Sequence, residues 1–274
     1  MCVYGGDDPE HFNVAYNSAL NQTLKPNEFI LVIDGPVNNA LSIKIKNLQR
    51  LCTIKKVHFK IVELKVNKGH GEARRDGVQN CTSKYVAIFD SDDIYDKKRL
   101  ELQVDFLEST PGVSIVGSQI IEVDSQTLEP LGRRVLPVKH DDIINTMKVR
   151  CPFNQMTVMF MRSAVLDVGN YQSFFHNEDY YLWIRLAENG YHFHNLNLEL
   201  VQARVNPLFY KRRGGLNYFQ SELKIQKILL EKNFISPILF AFNVFVRFVI
   251  QVIFPQKVRG LLFKLMFRKK ATYV

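Results

Sequence analysis

The sequence predicts an α/β protein on a doubly wound, mostly parallel sheet, extended at its C-terminus by a basic, apolar helical region. Three observations carry that expectation. Apolar, strand-length runs alternate with amphipathic stretches through the first 110 residues, the order that a parallel sheet with crossover helices requires. Two of those runs end in an acid, Asp34 and Asp90, at the carboxyl ends of strands where open sheets of this class hold ligands. Charge is also unevenly spread: residues 204–274 hold 14 Lys and Arg against Glu222 and Glu231, a net +12, which leaves −3 for residues 1–203.

The elements follow in order. Asp8-Pro9 marks a helix start, an N-cap acid followed by proline, and Phe12, Ala15, Tyr16 and Ala19 recur at helical spacing. Residues 29–34 read as a buried strand, and Leu41, Ile45, Leu48 and Cys52 mark a second helix face. Residues 57–64 form a strand in which Val57, Phe59 and Ile61 alternate, and 71–81 a helix with a small face at Ala73, Gly77 and Cys81. Strand 85–89 precedes a helix from about 96 to 109, carrying Leu100, Val104 and Leu107 and stopped by Pro111-Gly112. The second half is less regular: strand 113–123, a turn near 128–132, a short helix near 141–149 and strand 157–161. Asn177-Glu178-Asp179 then opens a helix that Gly190 closes, and His192 and His194 alternate as in a strand.

The chain has 274 residues, 46% of them hydrophobic, enough for one large domain or a domain with an appendage. Cys2, Cys52, Cys81 and Cys151 show neither metal-ligand spacing nor the density of a secreted scaffold, and read as reduced cytosolic thiols. The first residues lack the basic start and apolar stretch of a signal peptide.

The acidic run Asp90-Ser91-Asp92-Asp93 packs three carboxylates into four positions. Such charges repel unless a cation intervenes. Mg²⁺ or Mn²⁺, sharing one or two carboxylates with the phosphates of a substrate, is the expected counterion, a solvated acidic turn the alternative. Glu178 and Asp179 lie in a helical first turn, where the dipole favours the ionised form. Either one serves as a general base, or both are ordinary first-turn acids.

Residues 234–254 are nearly continuous in aromatic and aliphatic side chains, long enough to cross a bilayer, but Arg247, Asn243, Ser236 and Pro237 interrupt them. Beyond them, six Lys and Arg interleave with Leu, Phe and Met. That pattern suits helices lying on an anionic membrane surface. The alternative is a C-terminal helix packed on the protein's own core.

Taken together, Asn21-Gln22-Thr23-Leu24, Val32-Ile33-Asp34-Gly35, Asn67-Lys68-Gly69, Asp90-Ser91-Asp92-Asp93 and Glu178-Asp179-Tyr180-Tyr181-Leu182-Trp183 resemble family 2 glycosyltransferases of the Rossmann-like GT-A fold. Asp34-Gly35-Pro36, Pro152-Phe153-Asn154, Thr157-Val158-Met159-Phe160 and Arg212-Arg213-Gly214-Gly215 resemble the amylovoran exopolysaccharide galactosyltransferase-like branch. The resemblance covers roughly residues 1–220. It implies a nucleotide-sugar donor, most often a UDP-sugar, and inversion at the anomeric carbon. Asp34 matches the acid that reads uracil or ribose; Tyr4 lies in the loop near the base; Asn67, Lys68 and Arg74 fall in the segment that approaches the nucleotide and its phosphates, with Asp90 facing it. Asp92 matches the principal metal-linked acid, with Asp90 and Asp93 beside it, for Mn²⁺ or Mg²⁺. Asp179 matches the usual base, with Glu178 as its neighbouring alternative. On the acceptor side, Trp183 either stacks on a sugar or belongs to the core, and Arg212 and Arg213 either grip a diphosphate or form a solvated basic loop.

These expectations divide the chain into a glycosyltransferase domain, 1–203, and a membrane-associating region, 204–274. Within the domain, 1–110 is the nucleotide-sugar half and 111–203 the acceptor half. The acceptor expected for the branch is an undecaprenyl-diphosphate glycan, reached peripherally at the cytoplasmic face of a bacterial inner membrane. Clustered acids at the site argue against nucleic acid. Galactose and glucose both stay open as the donor sugar. Two rival readings are a sugar-nucleotide pyrophosphorylase, whose basic glycine-rich loop Tyr4-Gly5-Gly6-Asp7-Asp8 does not provide, and a non-catalytic basic binding module. Two departures from the branch are visible: its members carry more residues before the first strand, and often His-Pro where Gln155-Met156 stand.

Overall fold

A computed structural model describes residues 1–205, 214–255 and 258. Strands β1 (Cys2–Tyr4), β2 (Glu28–Asp34) and β3 (His58–Leu64) form a parallel sheet in that order. Their register sets Tyr4 beside Asp34 and Asp34 beside Leu64, so the three strands end on one line. Helix α1 (Pro9–Leu20) begins where the Asp8 carboxylate accepts hydrogen bonds from the Glu10 and His11 backbone. It buries Phe12, Ala15, Tyr16 and Ala19, and α2 (Asn39–Ile54) buries Leu41, Ile45, Leu48 and Cys52. Both stripes are those the periodicity predicts, and they close a core on this sheet with Leu31 and Val57. Helix α3 (His70–Asn80) leads on to the second sheet.

That sheet holds β4 (Tyr85–Ala87), β5 (Ile94–Tyr95), β6 (Val113–Asp124), β7 (Pro130–Arg134), β8 (Met159–Met161) and β9 (His192–Val205). The order is β4-β8-β6-β9-β5, with β7 on β6. Only β6 and β9 run parallel; the other pairs are antiparallel. The parallel winding read from the sequence is thus concentrated in the first half, and the second half mixes both senses. Helices α4 (Arg99–Ser109), α5 (His140–Met147), α6 (Arg162–Asp167) and α7 (Glu178–Glu188) cover it.

Three local differences from expectation have tertiary causes. Helix α4 starts at Arg99 because Ile94 and Tyr95 are drawn into pairing with β9. The expected turn at 128–132 continues into β7, since Asp124 closes a hairpin by accepting from Gln126 and Thr127. Residues 155–157 form a 3₁₀ turn before β8, held by Thr157 hydrogen bonds to Asn154 and Ser118. A second core gathers Phe153, Phe160, Val165, Tyr180, Trp183 and Phe193.

β1 pairs only with the last part of β2, from Val32 onward. Between the first half of β2 and β4 lies an apolar pocket of about 430 Å³, walled by Phe29, Ile30, Val86 and Met159.

The C-terminal region continues as α8 (Leu216–Glu231), α9 (Pro237–Phe248) and a π-helical turn, Val249–Ile253. The apolar run at 234–254 is therefore broken: Ser236 caps α9 and Pro237 opens it. Among the described residues no helix is long and apolar enough to cross a membrane.

Candidate active site

The line of strand ends carries the first part of the site. Both oxygens of the buried Asp34 carboxylate accept backbone hydrogen bonds, from Lys68 at 2.7 Å and Gly69 at 2.9 Å. Asp34 thereby fixes the loop after β3, and each oxygen keeps a further lone pair for a ligand. Gly35 permits this closeness: its φ is +83°, and a Cβ there would stand 2.6 Å from the Asn67 nitrogen. Tyr4 is partly exposed, with its ring laid against Gly6, and the side chains of Asn67 and Lys68 are exposed on the same rim.

Arg74, on α3, is the hinge of the site. Its guanidinium is buried and donates to Glu178 Oε1 at 2.7 Å and Asp90 Oδ1 at 3.1 Å. Burial alone would lower its pKa, but the charges of Asp90 and Glu178 outweigh burial and hold it well above the ordinary value. One side chain thus ties the acidic turn after β4 to the first turn of α7. Arg74, expected in the segment that approaches the nucleotide and its phosphates, is thus paired with two carboxylates.

The three acids of the turn have different surroundings. Asp90 is half-buried against Arg74 and Asp92 is exposed. Asp93 is buried and turned toward β9, where it accepts from the Arg204 backbone at 2.9 Å. Burial, then the charges of Asp92 and Asp90, push its carboxyl well up. Of the three acids expected to hold a metal, Asp93 is thus engaged through Oδ1 by the β9 backbone and Asp90 through Oδ1 by Arg74. Asp7 adds a further carboxyl, accepting from Ser91 Oγ at 2.8 Å and from the Tyr4 backbone; burial pushes it up too. Behind the turn, Arg99 donates to the Ile88 carbonyl at 2.8 Å and lies over the rings of Phe89 and Tyr95, while Tyr95 Oη donates to the Asp90 carbonyl. Burial lowers the Arg99 pKa to about 10.

Around this turn the candidate donors are the carboxylate oxygens of Asp90 and Asp92, all hard oxygens. That chemistry fits Mg²⁺ or Mn²⁺. Among the described residues no three His, Cys, Asp or Glu side chains are arranged to hold a metal by themselves. An ion here would complete its shell with substrate phosphates and water.

Asp179 is half-buried in the first turn of α7. Its Oδ1 accepts from the Tyr180 backbone at 2.7 Å, and Cys151 Sγ stands 3.8 Å from Oδ2 as a thiol donor. Burial and then the Asp179 charge push that thiol far up, so it keeps its proton. Glu178, by contrast, is buried and committed to Arg74. The two neighbouring acids thus have different surroundings: Glu178 pairs with Arg74, and Asp179 lies beside Cys151.

Trp183 is fully buried against Phe153, at 5.2 Å between ring centroids. This corrects the sugar-stacking expectation: no face of the ring is open, and the core alternative holds. Arg212 and Arg213 lie outside the described residues. The sequence reading missed the parts played by Asp7, Ser91 and Arg99. A signal for Arg99 was present, since Lys97, Lys98 and Arg99 crowd positive charge at a helix start, against the dipole.

This geometry has known counterparts. The chain is 34% identical over 230 residues to the amylovoran biosynthesis glycosyltransferase AmsE of Erwinia amylovora, with 84% of each chain covered. It is 31% identical over 269 residues to the UDP-Gal:alpha-D-GlcNAc-diphosphoundecaprenol beta-1,3-galactosyltransferase of Escherichia coli, covering 98% of this chain and 95% of that one. Among solved structures, the mannosyltransferase PcManGT from Pyrobaculum calidifontis in complex with GDP-Man and Mn2+ shares the fold. Its TM-score is 0.64 over 96% of this chain and 74% of that one, at 14% identity. The model of "Glycosyl transferase family 2" matches residues 2–169, more than half the chain. With its strand-end site and these relatives, the chain belongs to glycosyl transferase family 2 and is a glycosyltransferase of the GT-A fold.

Proposed function

We propose that the enzyme is inverting and metal-dependent, and moves galactose or glucose from a UDP-sugar to a lipid-linked glycan during assembly of a bacterial surface polysaccharide. The observation that carries this is the Arg74 bridge. It holds the acidic turn, where a donor diphosphate would bind, in fixed relation to the helix start that bears Asp179. Fixed relation between leaving group and proton acceptor is what an in-line displacement needs.

The roles follow from position. Tyr4, Asn67 and Lys68 face the nucleotide, and Asp34 braces the loop that carries the latter two. Asp92 and Asp90 would hold Mn²⁺ or Mg²⁺ together with the donor's phosphate oxygens. When bound, such an ion neutralises charge gathering on the departing diphosphate. Asp179 accepts the proton of the acceptor hydroxyl on the face opposite the leaving group. Glu178 and Arg74 position it. Residues 1–203 form the transfer domain and 204–274 a region that associates with the cytoplasmic membrane surface, in which Arg212 and Arg213 would grip the acceptor's diphosphate. The Escherichia coli relative, by its name, acts on a diphosphoundecaprenol-linked sugar, which supports an acceptor of that class.

The test is UDP release from a panel of UDP-sugars, with synthetic lipid-diphosphate acceptors, with and without Mn²⁺ and a chelator. Release should require both metal and acceptor, and fall about 10²- to 10³-fold in Asp92→Ala. Full transfer in chelator would sink the metal assignment. Pyrophosphate release from UTP and a sugar phosphate would sink the transfer itself.

A further inference from the structure

Helix α9 is built inside out. Its buried positions are Asn243 and Arg247, and the turn that follows buries Gln251, so polar residues recur every fourth position on the inward face. Asn243 and Arg247 are matched by polar partners. Arg247 Nε donates to Glu222 of α8 at 2.9 Å, and its guanidinium reaches the Val149 and Asn243 carbonyls. Asn243 Nδ2 donates to Gln226 of α8 at 2.9 Å and to the Lys148 carbonyl at 3.0 Å. The outward face is apolar: Ile238 is 82% exposed, Phe242 62%, Phe245 66%, and Phe248 and Ile253 stand out beside them. A helix facing water carries its polar residues outside. A contiguous row of exposed large apolar groups marks a surface meant to be covered.

We propose that the outward face of α9 docks on an anionic lipid bilayer, with Ile238, Phe242, Phe245, Phe248 and Ile253 entering the acyl boundary while the polar face stays on the protein. This deepens the membrane reading above and rests on it, by naming the face that enters lipid. Arg247 no longer counts against burial of this segment, because it points inward and is neutralised by Glu222. Charge complementarity selects the occupant. Residues 256–274, which follow directly, hold six Lys and Arg and no acid. A second copy seated on this face would bring two such basic stretches together, whereas an anionic leaflet attracts both. The docked face also lies close behind the site. The 147–151 segment is held by α9 through Lys148 and Val149, by α7 through the Tyr180 hydroxyl on the Met147 carbonyl, and by Asp179 through Cys151. A lipid-anchored acceptor would therefore meet the membrane and Asp179 one helix layer apart.

The experiment is vesicle flotation of the full chain with phosphatidylglycerol-containing and pure phosphatidylcholine vesicles. The comparison is wild type against Phe242→Ser/Phe245→Ser, with Ile54→Ser on α2 as an exposed apolar control. We expect the anionic vesicles to bind more wild type, and the double variant to lose at least about tenfold in partitioning. The control should be unchanged. A photoactivatable phospholipid should label the peptide spanning 238–253 in the wild type. UDP release with a short detergent-solubilised acceptor should be unchanged in the double variant, so loss of docking is read apart from loss of transfer. Wild-type partitioning in the double variant, or labelling confined to other peptides, overturns the α9 face while leaving attachment through the basic tail standing. Absence of wild-type binding overturns both membrane readings but not the transfer reading. A dimer broken by the substitutions with vesicle binding intact overturns the proposal in favour of self-association.

Discussion

Arg74 and Arg247 are both buried and both paired with carboxylates, yet they join different parts of the molecule. Arg74 answers two carboxylates, Asp90 and Glu178, and so joins the acidic turn after β4 to the first turn of α7. Arg247 answers Glu222 alone and spends its remaining donors on backbone carbonyls. On the function proposed above, the first pair would stand beside a cation and the donor's phosphates. The second closes on itself and serves only to turn the apolar side of α9 outward. A buried ion pair is therefore not informative alone; which elements it joins separates a site from a scaffold.

The largest effect should fall on Asp179. Asp179→Asn should lower kcat by about 10²- to 10⁴-fold with donor binding retained, while Glu178→Gln keeps a neutral acceptor for Arg74 and loses far less. Initial rates and donor titrations check this, and the reverse ranking would exchange the two roles. Next, Arg74→Met and Arg247→Met should each destabilise by about 3–5 kcal/mol in denaturant titrations, since each leaves a buried carboxylate unpaired. They should part in activity per folded molecule: Arg74→Met loses transfer and Arg247→Met keeps it in the detergent assay. Equal activities would erase the distinction drawn here. Gly35→Ala, which sets a Cβ 2.6 Å from Asn67 N at φ +83°, should cost about 1–3 kcal/mol and raise the donor KM.

The smallest effect is a pH dependence. Burial pushes the thiols of Cys52 and Cys81 up to about 11 from an ordinary 9.0. A folded-state value above the unfolded one means that stability is intact below pH 9 and is lost as pH rises toward 11, because the unfolded chain ionises first. Denaturation midpoints across that window should fall, and Cys52→Ala should flatten the fall.

Much of the first half was legible because its signals are local. The Asp8 cap, the α1 and α2 stripes and the acid-ended strands need only neighbours a few residues away. The site's wiring was not legible, because Arg74 meets Glu178 across 104 positions, and Asp93 is claimed by a backbone amide 111 positions on. No periodicity reports such meetings. Helix α9 failed for another reason. Its near-continuous hydrophobicity hid a fourfold spacing of Asn243, Arg247 and Gln251 that was present in the letters but reads as flaws in an apolar run.

Helix α9 also bears on redesign. A protocol that scores exposed phenylalanine and interior asparagine as faults would rewrite this segment from both sides, trading Phe242 for lysine and Asn243 for leucine. The product would express cleanly and stay in the supernatant. If α9 docks as proposed, it would also have discarded the handhold by which the catalyst meets a lipid-borne acceptor.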